Sequence, residues 1–503
     1  MTQRRAASAD STSSHPVRAG VAKIEITSQA PDARILDPLY ARALVLDDGT
    51  TQLVLLTMDV TAIGARKISC NLLPDVSEEF LPSLRGRVES ELGIPGKNVM
   101  VNASHTHPLG RMLCDDQEQL NRAFEVIRQA RRNMVPVKIG VGSGRADRIS
   151  MNRTLQLKNG NHWTIRHTNP SPTDQEVADV APFDPQIGIF RVDRQAGGTL
   201  AVVFNFACHL LFGDPTGAIT GNFPAVAQRV IEQSLDGEAM AFFVQGAAGD
   251  VIDMTFKDFH HVRQIEPIGW ELGLETVKAL RQIKMQDKAK LGVASHTLKL
   301  PRRTDFDRRI AQLQAQEDHL LESLRYCPLN FKNFLPLYLQ YQLHPEFPLA
   351  DAYRYMQADK VNDPRLRQMD KLNRANLDKY LNNIRAMEKL ARIRDNIDTL
   401  RKHQKLNQDA GSGAADAEIQ VMRIGDGFLV GSPLEVLTEV ALRVKKDSPY
   451  PNTFIAAFSN GYLHYGSPVD NYEKGGYEVV ECLLGPQWQE MYERTAGELI
   501  RKL

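Results

Sequence analysis

The sequence predicts an α/β fold with a core of mixed β-sheet, flanked by helices and interrupted by a long α-helical insertion. Short runs rich in Val, Ile, Leu and Phe alternate with helical stretches across residues 17–301 and again across 418–503. Continuous apolar runs of this kind are typical of strands that are covered on both faces. Between the two parts, residues 302–417 carry apolar side chains at helical spacing instead.

The predicted elements follow one another in order along the chain. In the first part the strands are 41–48, 52–60, 98–104, 187–193, 199–209 and 240–246. The helices of that part are 75–92, 117–133, 225–235 and 270–283. The second part begins with a hairpin over 418–432 that turns at Gly-Asp-Gly, and continues with a helix over 433–446 and a strand over 453–459.

The insertion reads as a helical hairpin. One amphipathic helix covers 308–324, and a longer one begins near Pro364, a favourable residue for a first helical turn. Its apolar stripe consists of Leu366, Met369, Leu372, Leu377, Tyr380, Ile384, Met387, Ile393, Ile397 and Leu400. We expect this stripe to pack on the body or on a partner subunit, which predicts a homo-oligomer formed through 302–415; a lid over a pocket is the alternative. The Gly/Ala-rich stretch 408–417 is predicted to be a linker.

Composition excludes several functional classes. The 503 residues include 61 basic and 61 acidic side chains, so no excess positive charge indicates a nucleic-acid partner. No apolar run approaches the ~18 residues of a transmembrane helix, and residues 1–16 read as a disordered polar tail without a signal-peptide core. The cysteines are odd in number, scattered and without CxxC spacing, which predicts a reducing, cytoplasmic location: Cys70, Cys114, Cys208, Cys327 and Cys482.

The stretch NVMVNASHTHPLG (98–110) suggests a metal site. Side chains two apart on an extended strand point to one face, so His105 and His107 are able to reach one ion. The alternative is a hydrogen-bonded pair of histidines at the end of a strand.

Further polar residues follow predicted strands, at the edge where α/β sheets bind ligands. They are His209, Asp250, Tyr465, Asp59 and Glu435, the last of which we expect in the first turn of a helix. Two histidines, a carboxylate and an oxygen donor form a plausible zinc set with one position open. The alternatives are an ordinary helix-dipole contact for Glu435, core packing for a lone histidine, and a turn-capping carboxylate for Asp250.

Eight segments in this order resemble the neutral, non-lysosomal ceramidases, a family of zinc-dependent amidohydrolases. The segments are GVAKIEIT (20–27), LYARALVLDD (39–48), HTH (105–107), FACH (206–209), GAAGDV (246–251), PLE (433–435), SNGYLHY (459–465) and GGYEV (475–479). The resemblance covers roughly residues 18–300 and 418–480.

The resemblance implies a zinc site and a reaction centre. Carried over residue by residue, the zinc ligands are His105, His209, Glu435 and Tyr465. The second histidine of HTH, His107, lies near the reaction centre in the family, and the arginine of an NR motif, here Arg153 in MNRT, contacts the polar group of the substrate. The alternative for Arg153 is an ordinary surface ion pair.

Two departures from the family bear on the substrate. The family's serine in GDVS is replaced by Ile252, which cannot act as a nucleophile. We also expect the family's C-terminal β-sandwich to be missing, since the chain ends at Leu503, soon after GGYEV. Ceramide is therefore a weaker expectation than an acyl substrate in general.

The resulting hypothesis is zinc-dependent hydrolysis of an amide or related acyl bond in a small-molecule or lipid-like substrate. Zinc lowers the pKa of a bound water from ~15.7 towards ~7, so water attacks without a serine. His107 or Asp250 is the candidate general base, with Asp253 as a weaker reserve, and Arg153 polarises the carbonyl. The alternatives are a zinc lyase or sugar-processing enzyme on the same scaffold, and a non-catalytic assembly protein that works through its helices.

Overall fold

The computed structural model of the protein describes residues 16–30, 32–69, 76–107, 114–166, 171–211, 218–256, 260 and 263–503. Within them the predicted mixed α/β fold is confirmed. The strands are β1 Arg18–Glu25, β2 Tyr40–Asp47, β3 Gln52–Met58, β4 Val99–Ala103, β5 Val135–Arg145, β6 Ser150–Asn152, β7 Thr154–Leu157, β8 His162–Thr164, β9 Val177–Val180, β10 Gln186–Arg194, β11 Thr199–Phe206, β12 Met240–Gln245, β13 Val251–Asp253, β14 Leu291–Pro301, β15 Ala414–Ile424, β16 Gly427–Gly431, β17 Glu435–Val436, β18 Thr453–Ala456 and β19 Tyr465–Gly466.

Helices alternate with these strands and also fill the insertion. They are α1 Arg66–Ser69, α2 Phe80–Leu92, α3 Asp116–Arg132, α4 Asn222–Ser234, α5 Ile265–Leu280, α6 Phe306–Ser323, α7 Phe331–Leu343, α8 Ala352–Lys360, α9 Arg365–Asp409, α10 Thr438–Asp447, α11 Asn471–Lys474, α12 Tyr477–Val480 and α13 Trp488–Lys502. No helix in the described part of the chain is long and apolar enough to cross a bilayer.

Two large sheets form the centre of the fold. The first has eight strands in the order β12-β11-β10-β5-β1-β2-β3-β4, and the second has four in the order β14-β15-β16-β18. Most neighbours are antiparallel, but β3 with β4, β11 with β12 and β16 with β18 run parallel. Strands β4 and β11 therefore belong to one sheet. Their carboxyl ends precede the two predicted histidine ligands.

The two sheets pack face to face, with helices on both outer sides. Leu55 and Val203 of the first sheet meet Met422 and Phe454 of the second in one buried cluster. Helices α2 to α5 cover the outer face of the first sheet, and α10 and α13 cover that of the second. Each fully buried Phe or Leu stabilises this arrangement by roughly 1.5–3 kcal/mol. At Gly188 an added Cβ would lie 2.4 Å from the Phe454 ring, so glycine permits the close approach of the sheets.

Several element predictions require correction. Strands β1, β5 and β14, which complete the two sheets, were not predicted. The helix predicted at 75–92 begins at Phe80, while residue 75 lies outside the described residues. The helix predicted at 433–446 begins only at Thr438, because 435–436 pair with β19 as a short strand. The stretch 408–417, predicted to be a linker, contains the end of α9, a turn and the first residues of β15.

The chain divides into two compact units, one formed by residues up to Arg303 together with Leu406–Leu503, and the other by Thr304–Lys405. The second, helical unit has its own small core, in which Phe334 and Tyr341 of α7 pack with Leu377 of α9. The Tyr341 and Tyr355 hydroxyls both donate to Oδ1 of the buried Asp370 at 2.9 Å. This unit is therefore held by packing and by satisfied polar contacts.

Only part of the stripe predicted on the long helix is accessible. Leu377, Ile393, Ile397 and Leu400 are buried, whereas Met369, Leu372 and Met387 are exposed. The helical period was predicted correctly, and four of the ten stripe residues are already buried in the protein.

Candidate metal centre

His105 and His107 converge through a tight turn rather than along a strand. β4 ends at Ala103, and His105 adopts a left-handed backbone with φ 63°. Its N–H donates to the Val60 carbonyl at 2.9 Å, which holds the turn beside the end of β3. The ring Nε2 atoms of the two histidines lie 2.9 Å apart. The extended geometry predicted for this pair is wrong, although the two rings do meet.

His209 reaches the same place from the end of β11. Its backbone N–H donates to the Val251 carbonyl at 2.9 Å, and its ring Nδ1 donates to the Ala248 carbonyl. One ring nitrogen from each of His105, His107 and His209 lies within 4.8 Å of the other two. Burial lowers the pKa of His105 and of His209 well below the ordinary value, so both rings are neutral at pH 7.

Glu435 lies on the short strand β17, in register with Tyr465 of the parallel strand β19. The expected place in a first helical turn is therefore wrong, because α10 starts three residues later. Its Oε1 accepts a hydrogen bond from the Tyr462 hydroxyl. Its Oε2 is buried and accepts no hydrogen bond from any residue that the structure describes. That oxygen lies 3.2 Å from His209 Nε2 and 3.6 Å from His105 Nε2.

The hydrogen bonds fix the tautomers of both histidines. Nδ1 of His105 donates to the Thr61 carbonyl at 2.7 Å, and Nδ1 of His209 donates to Ala248, so each Nε2 presents a lone pair. Glu435 Oε2 thus faces two ring nitrogens that carry no proton to donate to it. Burial makes such an arrangement unfavourable, and a divalent cation would relieve it. The residues present fit the zinc that the resemblance implies.

His107 completes the cluster on the side of His105. Because Nε2 of His105 carries the lone pair, Nε2 of His107 is the donor in their 2.9 Å contact. Burial, reinforced by His209, lowers the pKa of His107 to about 3. The imidazole is therefore neutral over the physiological pH range.

Arg153 and Tyr465 form the opposite wall of the site. Arg153 Nη2 donates to the Tyr465 hydroxyl at 3.1 Å and to the Gly249 carbonyl at 2.8 Å, while Nε donates to Glu478 Oε1 at 2.8 Å. The arginine is only 4% exposed, so the alternative of a surface ion pair is wrong. The Tyr465 ring lies almost parallel to that of His209, with 6.5 Å between centroids. Burial raises the pKa of the Tyr465 hydroxyl, and the neighbouring Arg153 opposes that rise.

The predicted carboxylate bases have other contacts. Asp250 Oδ1 accepts from the N–H and the hydroxyl of Thr438 at 2.9 and 2.8 Å, and Oδ2 accepts from Asn152 Nδ2 at 2.7 Å. Burial raises the pKa of Asp250 to about 6. Asp253 accepts from Thr255 and from Arg263. These contacts differ from the alternative of a turn-capping carboxylate, because the one backbone N–H that Asp250 accepts belongs to Thr438 of α10 and not to its own turn.

Two other predicted positions also have structural contacts. Asp59 forms a buried ion pair with Arg42 at 3.1 Å and accepts from the Tyr40 N–H. Ile252 is buried in β13, opposite Met151 of β6. Neither residue contributes to the histidine cluster.

Sequence reasoning missed three residues that contact the cluster. Tyr462 donates to Glu435, Glu478 accepts from Arg153, and the Phe458 ring stacks on His105 with 4.0 Å between centroids. Tyr462 and Glu478 lie inside the segments SNGYLHY and GGYEV, which were singled out for other residues. Their partners are distant in sequence, so spacing alone does not reveal them.

Solved ceramidase structures share this fold. A neutral ceramidase from Pseudomonas aeruginosa superposes with a TM-score of 0.60 at 16% sequence identity, over 97% of this chain and 75% of that chain. A ceramidase complexed with C2 gives a TM-score of 0.59 at 15% identity with the same coverage. No protein-family model and no curated protein sequence matches the chain. The likeness establishes a ceramidase-like fold.

Proposed function

We propose that the protein is a metal-dependent hydrolase that cleaves an amide or related acyl bond. The observation that carries the proposal is the buried Glu435 Oε2, which accepts no hydrogen bond from the described residues and faces the unprotonated Nε2 atoms of His105 and His209. The ceramidase-like fold supports the same reaction class, since both neighbours described above are ceramidases.

The proposed zinc ligands are His105, His209, Glu435 and Tyr465. A zinc ion bound by them supplies a Lewis acid that activates water at neutral pH. Thr61 and Ala248 accept the Nδ1 protons of the two histidines, and Tyr462 donates to Glu435. Arg153 donates to the Tyr465 hydroxyl, so each of the four groups is oriented by a hydrogen bond of its own.

The remaining residues handle the substrate and the proton. The buried Arg153 guanidinium is the group that stabilises negative charge developing on the carbonyl oxygen. The neutral His107 is the proposed base: its unprotonated Nδ1 takes a proton from the attacking water and returns it to the leaving group, while Nε2 keeps its own proton. Because Ile252 offers no nucleophile, water attacks the carbonyl carbon directly. The proposed substrate is a small-molecule or lipid-like acyl compound, and ceramide is one member of that class.

The decisive experiment pairs metal analysis with a screen of acyl amides, esters and glycosides. We expect about one zinc per chain and turnover of an amide or ester, with both lost in Glu435→Gln. Glu498→Gln, at an exposed position of α13, is the matched control and should retain both. A protein without bound divalent metal would overturn the proposal, and elimination or glycoside cleavage as the sole reaction would favour the lyase or sugar-processing alternative.

We also propose that the helical unit forms a homo-oligomer. Every fourth residue of α7 is a large apolar side chain exposed by 43–72%: Phe331, Leu335, Leu339 and Leu343. Side chains four apart share one face of a helix, and an apolar stripe of this kind is typical of an interface. The double variant Leu335→Glu/Leu339→Glu should lower the mass measured by light scattering, whereas the exposed α6 change Gln314→Glu should not. A monomeric wild-type protein would contradict the proposal.

A reducing compartment such as the cytoplasm is the proposed location. The described cysteines are free thiols: Cys114, Cys208, Cys327 and Cys482. Free, partly buried thiols are typical of proteins that remain in a reducing environment. Fractionation of the native host cell is the direct measurement.

A further inference from the structure

One short loop, residues 246–251, contacts three separate parts of the candidate site. The Ala248 carbonyl accepts the ring proton of His209. The Gly249 N–H donates to the Val436 carbonyl at 3.1 Å, next to Glu435, and the Gly249 carbonyl accepts from Arg153 Nη2 at 2.8 Å. A ligand, the strand that carries a second ligand, and the proposed oxyanion donor are therefore all bonded to the same loop.

The loop also lies so close to β17 that no side chain fits at position 249. A Cβ added at Gly249 would lie 2.7 Å from the Glu435 carbonyl oxygen and 3.1 Å from that of Val436. The position of β17, and with it that of the Glu435 carboxylate, is thus set by direct backbone contact with the loop.

Asp250 anchors this loop on two sides. Oδ1 accepts two hydrogen bonds from Thr438, the first residue of α10, just after β17. Oδ2 accepts from Asn152, and the Asp250 carbonyl accepts from the Arg153 N–H at 2.8 Å. One side chain therefore connects the segment that carries Glu435 to the segment that carries Arg153.

We propose that Asp250 is a positioning residue, which fixes Glu435 and Arg153 relative to His209 through the 246–251 loop. The proposal rests on the proposed function for the roles of those three residues, and it replaces the general-base role first predicted for Asp250. Three hydrogen bonds from neighbouring side chains and backbone already occupy its two oxygens, and all of them are structural.

Zinc binding to the metal-depleted protein is the first test. In Asp250→Asn an amide N–H₂ replaces one acceptor, so the contacts to Thr438 and Asn152 cannot both persist. We expect zinc affinity to fall by about 10–100-fold, as for other groups that orient metal ligands. Thr438→Val, which removes one of the two bonds to Oδ1, should give a smaller loss in the same direction, and Thr438→Ser should restore the wild-type affinity.

Hydrogen–deuterium exchange on the metal-depleted protein provides a readout that does not require zinc or turnover. In Asp250→Asn we expect at least about tenfold faster exchange in the peptide covering 435–441, in that covering 150–154, or in both, because at least one of these two segments loses its contact with residue 250. A peptide covering 371–385 of the helical unit should exchange as in the wild type. Should Asp250→Asn fail to fold, the Thr438→Val and Thr438→Ser pair decides by the same measurement.

The outcomes separate this proposal from the proposed function. A wild type without zinc binding overturns the function, while the exchange data still judge the positioning role. Unchanged exchange and zinc affinity in Asp250→Asn would overturn the positioning role, whether or not turnover falls. If turnover then fell and the acid limb of its pH profile disappeared, Asp250 would be the general base instead.

Discussion

Buried carboxylates occur in both units, and they differ in one respect. Asp370 in the helical unit accepts hydrogen bonds from two tyrosine hydroxyls, and Asp250 accepts three from Thr438 and Asn152. Glu435 Oε2 accepts none, and among the described residues it is the only buried carboxylate oxygen in that condition. Burial of an acid is thus compatible with a purely structural role. An acceptor that faces other acceptors is the stronger indication of a cation-binding site.

The largest expected effect comes from removing a candidate metal ligand. His209→Ala deletes one of the two lone pairs facing Glu435, and we expect a loss of zinc affinity greater than the ~100-fold typical of outer partners, together with loss of turnover. His296→Ala, at an exposed position of β14, is the matched control. Metal analysis after gel filtration gives the result, and a variant that retains stoichiometric zinc would remove His209 from the ligand set.

A second substitution separates chemistry from metal binding within the site. Arg153→Lys keeps the charge but loses the forked contacts to Tyr465, Gly249 and Glu478. We expect kcat to fall by ~10²–10³-fold, the usual effect of losing one donor to a developing oxyanion, with zinc content unchanged. Arg148→Lys, whose side chain is 79% exposed, should leave kcat as in the wild type. Equal kcat values in the two variants would contradict the assigned role.

A substitution in the core of the helical unit should change the stability of that unit and leave zinc binding unchanged. Leu377→Ala removes a buried side chain from the core formed with Phe334 and Tyr341, and should destabilise that unit by ~2–5 kcal/mol. Leu372→Ala, on the same helix but 56% exposed, should change stability by less than ~0.5 kcal/mol. Urea denaturation followed by circular dichroism distinguishes them. Loss of zinc binding in the folded Leu377→Ala protein would show that the contrast between the units is wrong.

The smallest expected effect is a dependence of folding stability on pH, which arises from ionisable residues of the candidate site. The pKa values of His105, His107 and His209 are lowered by burial, to about 3 for His107, so the unfolded chain binds protons that the folded chain does not. Their contribution to stability is present above ~6.5 and is lost as the pH falls towards their folded values. Asp250, with its pKa raised to about 6, contributes in the opposite sense, losing stability as the pH rises through that value.

Melting curves of the metal-free protein between pH 7 and 5 measure this balance. Three histidines outweigh one aspartate, so we expect Tm to fall with decreasing pH, and to fall less steeply in His107→Gln, which has no ring to protonate. Identical slopes for the wild type and His107→Gln would show that this imidazole does not titrate between the folded and unfolded states in that range.

The sequence predicted which residues converge at the candidate site better than it predicted the local backbone structure of those residues. His105 and His209 were recognisable because each follows an apolar run, and the ends of such runs are easily located. The two-residue strand at Glu435 was not, since PLEVLTEV has the composition of a helix start. Likewise, most residues of α7 are apolar, yet Phe331 and Leu343 are exposed by 65% and 72%. Periodicity identifies an element, whereas tertiary packing decides what covers it.

Because the backbone of His105 is left-handed, selection for stability and selection for catalysis favour different residues at position 105. Residues other than Gly, Asn and Asp rarely adopt this conformation, and holding them there costs of order 1 kcal/mol. A library screened only for thermal tolerance should therefore enrich Asn or Gly at position 105, and a library screened for catalysis should retain His. The frequency of His105 among survivors of each screen would indicate which property selection has favoured at this position.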